Sequence, residues 1–346
     1  MRNCNNLEFK LGGNVIAICN EFKYLGVVFS KNRSFFKAIK HNVEQAKKAM
    51  HLLYKRIRNL HIPIDLQIQL FDQTILPILL YGCEIWGFQN VKMIENVYNQ
   101  FLRSITKLRK STPIYMLYAE LGIKPIEIHI KSRMIGFWIA TLNSENSKLS
   151  KLMYNIMLSE LGNGQNYKWL NHIKQILISV GRAELLDQQY IYNQKSIKAK
   201  IVKTLNDLFI QDWNTKVIQS SKGRNYNIIK EDVAFEYYLK LLPKNVYIPI
   251  LKFRTSNHKL PIETGRWEAI PYQERKCFLC NDNEIGDEFH YLFICSYFAN
   301  ERYIFLKPYY YRRPNIYKYK VLMNSRNKLI LRNLAKFINI IMNKFQ

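Results

Sequence analysis

The sequence predicts a mainly α chain with a small mixed α/β module near each end. Three observations lead there. Apolar residues recur three and four apart through most of the 346 positions, which lays one apolar stripe along a helix. The first thirty residues are instead rich in β-formers punctuated by glycine. Near the other end, "CFLCNDNEIGDEFHYLFIC" gathers three of the six cysteines and one of the seven histidines. Hydrophobic residues make up 48% of the chain, enough for a sizeable core and too many for a disordered one.

Taken in order, "LEFKLGGNVIAI" carries the Gly12-Gly13 signal of a β-hairpin, and "FKYLGVVFS" is a second β-rich run. The period then changes. Ile39, Val43, Ala46, Met50, Leu53, Ile57 and Leu60 form one seam on a long helix that Pro63 ends. Its other faces carry Lys37, Lys40, Lys47, Lys48, Lys55 and Arg58. A second helix begins near Asp65 and runs through "LQIQLFDQTILPILLYG", kinked at Pro77 because proline removes a helical hydrogen bond. Ile94, Val97, Phe101, Ile105 and Leu108 mark a third, followed by the basic turn "KLRKSTP". Helical patterns continue over 126–143, 149–161, 168–180 and 196–219, with Ser196 as the cap of the last. The best breaks are Gly162-Asn163-Gly164 and Ser221-Lys222-Gly223. No repeat or low-complexity linker divides the chain, and the segments are 1–30, 31–125, 126–245 and 246–346.

Lysine plus arginine outnumber aspartate plus glutamate 52 to 26, for a formal charge of +26. Such an excess favours a polyanionic partner. A genome rich in A and T, writing many Lys, Asn, Ile and Tyr codons, is the compositional alternative. The N-terminus has no signal-peptide core, and apolar stretches such as 75–81 fall far short of the ~20 residues that span a bilayer. The expectation is an intracellular protein, nuclear or cytoplasmic, with no membrane partner and no small-molecule substrate. Reduced thiols then point to metal rather than disulfides. Cys4, Cys19 and Cys83 stand alone and read as small buried hydrophobes.

Cys277 and Cys280 have the spacing that lets two thiolates converge from one tight turn, and His290 and Cys295 supply a second half. Four such ligands close a tetrahedral structural zinc site with no open position. Five positions from His290 to Cys295 set two helical side chains far apart in angle, so the segment must loosen or end between them for both to reach an ion. The alternative is a helix, "EFHYLFICSYF", whose Cys295 is core and whose His290 is surface. Asp287 and Glu288 either orient His290 through its second nitrogen or sit at a helix start; the helix start is the favoured role. From Arg302 onward there are eleven Lys or Arg and no acidic residue. Lys307, Arg312, Arg313, Lys318 and Lys320 interleave with Tyr309, Tyr310, Tyr311, Tyr317 and Tyr319. Rings that stack on bases and cations that follow phosphates grip single strands without sequence readout. The other reading is a packed segment whose tyrosines are core and whose lysines are solvated.

The order "FKYLGVVFS", "LPILLYGCEIW", "STPIYMLYAELGIKPIEIHIKSRMIGFW", "LKFRTSNHKLPIETGRW" and then the cysteine–histidine cluster resembles the C-terminal half of LINE-type (non-LTR) retrotransposon reverse transcriptases. The resemblance covers nearly the whole chain. It implies that Tyr24, Leu25 and Gly26 belong to a primer-grip hairpin at the end of a polymerase palm, that 31–125 is thumb-like and 126–245 a helical linker, and that 246–346 is a zinc-knuckle module with a basic aromatic tail. It also implies that the cluster helps hold template RNA or target DNA. The sequence departs from the family where catalysis would lie. A reverse transcriptase holds two metal ions on palm carboxylates, and none of the eight aspartates here is adjacent to another. The expectation is therefore a truncated fragment, not an enzyme, acting at most as a zinc-dependent binder of RNA or single-stranded DNA. Lys37, Lys40, Lys47, Lys48 and Lys55 are its candidate contacts on the thumb helix. Lys307, Tyr310, Arg312, Arg313, Tyr317, Lys318 and Lys320 are those on the tail. The alternatives are an inert structural remnant, or part of an RNA-directed DNA polymerase whose palm lies outside this sequence.

Overall fold

Glycine-bearing two-residue turns build the N-terminal β-structure of this computed structural model, which describes residues 9–57, 60–161, 165–188 and 190–345. Strands β1 (Phe9–Leu11) and β2 (Asn14–Ile16) pair antiparallel across Gly12-Gly13, and β3 (Glu21–Tyr24) and β4 (Val27–Ser30) across Leu25-Gly26. Both residues of each turn have positive φ (55° and 83°, 45° and 85°), which the turns matching strand twist demand. The expected single hairpin is thus two separate two-stranded ribbons.

The remainder is helical, as the apolar periods predict. Helix α1 (Phe36–Ile57) buries Ile39, Val43, Ala46 and Met50. Leu60, expected on the same seam, lies beyond the helix and is 60% exposed. Then come α2 (Ile64–Thr74), α3 (Leu76–Leu79), α4 (Cys83–Trp86) and α5 (Val91–Thr106). Pro77 does not kink one helix. The chain divides at Ile75, and proline falls in the first turn of α3, where its missing N–H is no loss. Helices α6 (Ile114–Glu120), α7 (Ile126–Leu142), α8 (Leu149–Leu161), α9 (Lys168–Ser179) and α10 (Gln194–Gln219) follow. The cap of α10 is Asn193 in the left-handed region, and Ser196 sits inside the first turn. The expected break at 162–164 and Arg58 lie outside the described residues. Next are α11 (Gly223–Ile229), α12 (Tyr237–Leu241), α13 (Lys244–Arg254), α14 (Pro261–Trp267) and α15 (Glu288–Phe293). The chain closes with α16 (Ala299–Phe305), α17 (Pro308–Tyr311), α18 (Ile316–Met323) and α19 (Lys328–Lys344).

One continuous apolar core runs from Ile39 to Phe345. Helix α1 packs on α3, α5 and β4; α7 on α4 and α10; α13 on α19. Stacked Phe71 and Phe101 (centroids 4.2 Å apart) stand at its centre, each fully buried and contributing about 2–3 kcal/mol. Segments 31–125, 126–245 and 246–346 therefore share one core, while none of the described residues of 1–30 is buried in it. Cys83 is buried as expected, Cys19 is exposed because it lies between the two ribbons, and Cys4 falls outside the described residues. Among the described residues, no helix is long and apolar enough to cross a membrane.

Candidate metal centre

The first half of the site is a hydrogen-bonded turn. Lys276 and Ile285 form a β-bridge, Cys277 N donates to Glu284 O (2.8 Å), and Gly286 N donates to Arg275 O (2.9 Å). Asn283 closes the reversal at φ 53°. Within it Leu279 N donates to Cys277 Sγ (3.4 Å), so backbone dipoles already favour sulfur charge there.

The second half depends on where a helix starts and stops. The Asp287 carboxylate caps α15 by accepting from His290 N (2.8 Å). The helix is over by Phe293, and Ile294 N and Cys295 N both donate back to His290 O (2.8 and 2.9 Å). That tightened end swings Cys295 onto the side His290 faces. Arg302 of α16, itself buried, secures the exit by donating to Leu292 O (2.9 Å) and Cys295 O (2.7 Å).

The four expected ligands converge. One donor atom from each of Cys277, Cys280, His290 and Cys295 lies within 4.8 Å of the others. Cys277 Sγ is 3.9 Å from Cys295 Sγ, and Cys280 Sγ is 3.4 Å from His290 Nε2. A tetrahedron with bonds of about 2.0–2.3 Å has edges of roughly 3.5–3.8 Å, so the donor set fits a metal ion. The protonation balance points the same way. Burial pushes the Cys295 thiol up to about 12, raises Cys280 and lowers His290. Cys277 also suffers burial, but the Tyr291 hydroxyl and backbone N–H groups bring it below the usual thiol range. Three sulfurs this close cannot all ionise without a cation among them.

Neither acidic neighbour orients His290 through its ring: Asp287 has the capping role the sequence favoured. Glu288 turns away to accept from Ser256 Oγ (3.0 Å) and pair with His258 Nε2 (2.9 Å). His290 Nδ1 is buried with no hydrogen-bond partner among the described residues. Its ring is held by packing, edge-on to Tyr291 (5.2 Å). Phe345, just past α19, closes the module against Phe278 (5.4 Å) and Tyr291 (5.0 Å).

The candidate nucleic-acid contacts divide into two groups. Lys37, Lys40, Lys47, Lys48 and Lys55 are exposed, and at 3.6 residues per turn they share one face of α1; Lys37 pairs with Glu21. The tail is folded helix. Lys307, Arg312 and Arg313 are exposed on the connections flanking α17, and Tyr317 is 68% exposed. Tyr310 is buried at 6% exposure and cannot stack on a base, which corrects the expectation; Tyr319 is core as well. Lys318 is occupied with the carbonyls of Arg312 and Arg313 (2.6 and 3.1 Å) and lies over the Tyr309 ring, and Lys320 pairs with Glu231. Tyr24, Leu25 and Gly26 form the tip of the second ribbon, fastened where Tyr81 Oη donates to Leu25 O (2.6 Å).

Sequence reasoning missed a buried charge cluster. Arg254 Nε donates to both Glu120 oxygens (3.2 and 3.1 Å), while Nη1 donates to Met323 O and Asn324 Oδ1 (3.0 Å each). Nη2 lies 3.1 Å from Glu236, which also pairs with Lys230. The one local hint was a lone arginine ending the apolar run "YIPILKFR". No family model, curated protein or solved structure matches the chain.

Proposed function

We propose that this is a nucleic-acid-binding protein whose C-terminal module is held together by one structural zinc ion. The carrying observation is the Cys277–Cys280–His290–Cys295 cluster, embedded in a chain of net charge +26. Zinc suits three thiolates and an imidazole, and four protein ligands leave no position for a reacting water, so the ion is structural. The partner is RNA or single-stranded DNA. The α1 lysine face and the exposed Lys307, Arg312, Arg313 and Tyr317 support that reading. So does the resemblance to the thumb and zinc module of LINE-type reverse transcriptases. The chain does not polymerise by itself, since no two aspartates stand together to hold a catalytic metal pair.

The test is direct. Purified protein should contain one equivalent of zinc, bind a labelled single strand with log affinity falling linearly in log salt, and show background primer extension on an RNA template. Well-folded protein that binds neither RNA nor DNA at low salt would refute the binding function. Extension that survives removal of contaminating polymerases would refute the absence of a polymerase site. A second reading, an inert structural module, draws on the buried Tyr310 and Tyr319 and the occupied Lys318 and Lys320.

A further inference from the structure

A large cleft opens where the C-terminal end of α1, the end of α5 and the α12–α13 junction meet. It encloses about 1320 Å³, more than the roughly 300–1,000 Å³ usual for small-molecule sites. Its charged lining has one sign: Lys55, Lys107, Lys240 and Lys244, with His61, and no Asp or Glu among the described residues. None of these lysines has a carboxylate partner among the described residues, unlike Lys37, Lys216, Lys230 and Lys320 elsewhere. Lys107 is carried into the cleft by a left-handed residue conformation (φ 58°) that stops α5.

Two of the cations, Lys107 and Lys244, repel each other. Partial burial and the Lys107 charge together draw Lys244 below the ordinary lysine range. A polyanion relieves such repulsion, whereas water and dispersed counterions do so weakly. Part of the wall is apolar: Leu60 is 60% exposed and Ile62 half-buried, with the buried Leu239 behind. Lys55 belongs both to this cleft and to the α1 face that carries Lys37, Lys40, Lys47 and Lys48, among which the exposed Glu44 also stands.

Building on the nucleic-acid function proposed above, we infer that this cleft is the principal seat of a single-stranded nucleic acid. Lys55, Lys107, Lys240 and Lys244 take successive phosphates, and the apolar walls receive bases. A lone phosphate would leave most of the volume empty, and four lysines from separate elements suit a strand.

The experiment uses the full chain and a fluorescein-labelled single-stranded RNA of mixed sequence. The paired substitution Lys107→Ala with Lys244→Ala should weaken binding and reduce the salt slope by about 1.4, the counterion release of two single-strand phosphates. Arg312→Ala with Arg313→Ala is the charge-matched comparison and should change slope less. Unchanged affinity and slope in the cleft pair, with loss in the tail pair, would overturn the cleft while leaving the protein a nucleic-acid binder. No binding by the parent chain would overturn both. Acetylation footprinting of the unsubstituted protein covers the case of a misfolded variant: bound RNA should slow modification of Lys107, Lys240 and Lys244, and equal rates with and without RNA would refute the site. A nucleoside monophosphate that competes as well as the strand at equal phosphate would reduce the cleft to a small-anion pocket and likewise overturn it.

Discussion

Arg254 and Glu120 lie 134 positions apart in sequence and meet as a fully buried ion pair. Each comes from a different helix, α13 and α6, and the same guanidinium reaches the C-terminal carbonyl of Met323. One side chain thus fastens three distant segments. Burial opposes the Glu120 charge, yet Arg254 and Lys230 hold its carboxyl below the usual range; burial and the Glu120 charge instead leave Glu236 raised. The two carboxylates share one guanidinium, and Glu120 has the larger part of it.

Breaking that pair should be costly. Arg254→Met strands the fully buried Glu120 carboxylate and leaves the half-buried Glu236 to Lys230 alone, and should lower unfolding free energy by about 3–5 kcal/mol. Glu120→Leu combined with Arg254→Met leaves Glu236 with Lys230 and should recover much of the loss. Urea unfolding midpoints read both. Because Glu120 is depressed below 4.5, its stabilisation is present above that pH and is lost as pH falls through its folded value. Glu120→Gln should therefore show a shallower acid loss than the parent.

Metal removal should unfold the C-terminal module. Cys277→Ser or Cys295→Ser should hold well under one equivalent of zinc, and chelator should melt α15 along with the knuckle turn, since folding there is coupled to metal binding. Cobalt substitution should give the intense absorption of a tetrahedral thiolate site. Metal uptake should release protons, because burial keeps Cys280 and Cys295 protonated without an ion. Well-folded parent protein without stoichiometric metal would contradict this.

Arg302 is a positioning residue for Cys295. Arg302→Ala frees the carbonyls of Leu292 and Cys295, so zinc affinity should fall about 10–100-fold with all four ligands intact. Competition with a chromogenic chelator measures it. Arg302→Lys should not restore the affinity, since one ammonium cannot reproduce the planar fork.

Two tyrosines in the tail should behave oppositely. Tyr310→Ala removes a core ring and should cost about 3 kcal/mol of stability. Tyr317→Ala should leave the melting temperature unchanged and weaken single-strand binding by about 1–3 kcal/mol if its ring stacks on a base. Thermal melts alongside fluorescence anisotropy separate the two effects.

Phe345 should matter to the metal module through its ring contacts with Phe278 and Tyr291. Phe345→Ala opens the face of Tyr291 and Phe278, and should cost about 3 kcal/mol in module stability. A parallel loss of zinc affinity would show that α19 braces the metal centre.

The sequence alone determined whatever depends on near neighbours in the chain. The helices over 126–142, 149–161 and 168–179 follow from apolar periods a few residues long, and the turn at Gly12-Gly13 from local backbone freedom. The four metal ligands were legible because all lie within nineteen positions, on one turn and one helix start. Tertiary structure decided the rest. Whether Tyr310 or Tyr317 faces solvent depends on which side of the tail meets the core, and nothing in "YYYRRPNIYKYK" encodes that direction. The Arg254–Glu120 pair and the cleft lined by Lys55, Lys107 and Lys244 bring together residues from remote helices. Their charges are visible in the sequence, but their proximity is set only by how the apolar faces pack, and packing is a sum over the whole core rather than a property of any short stretch.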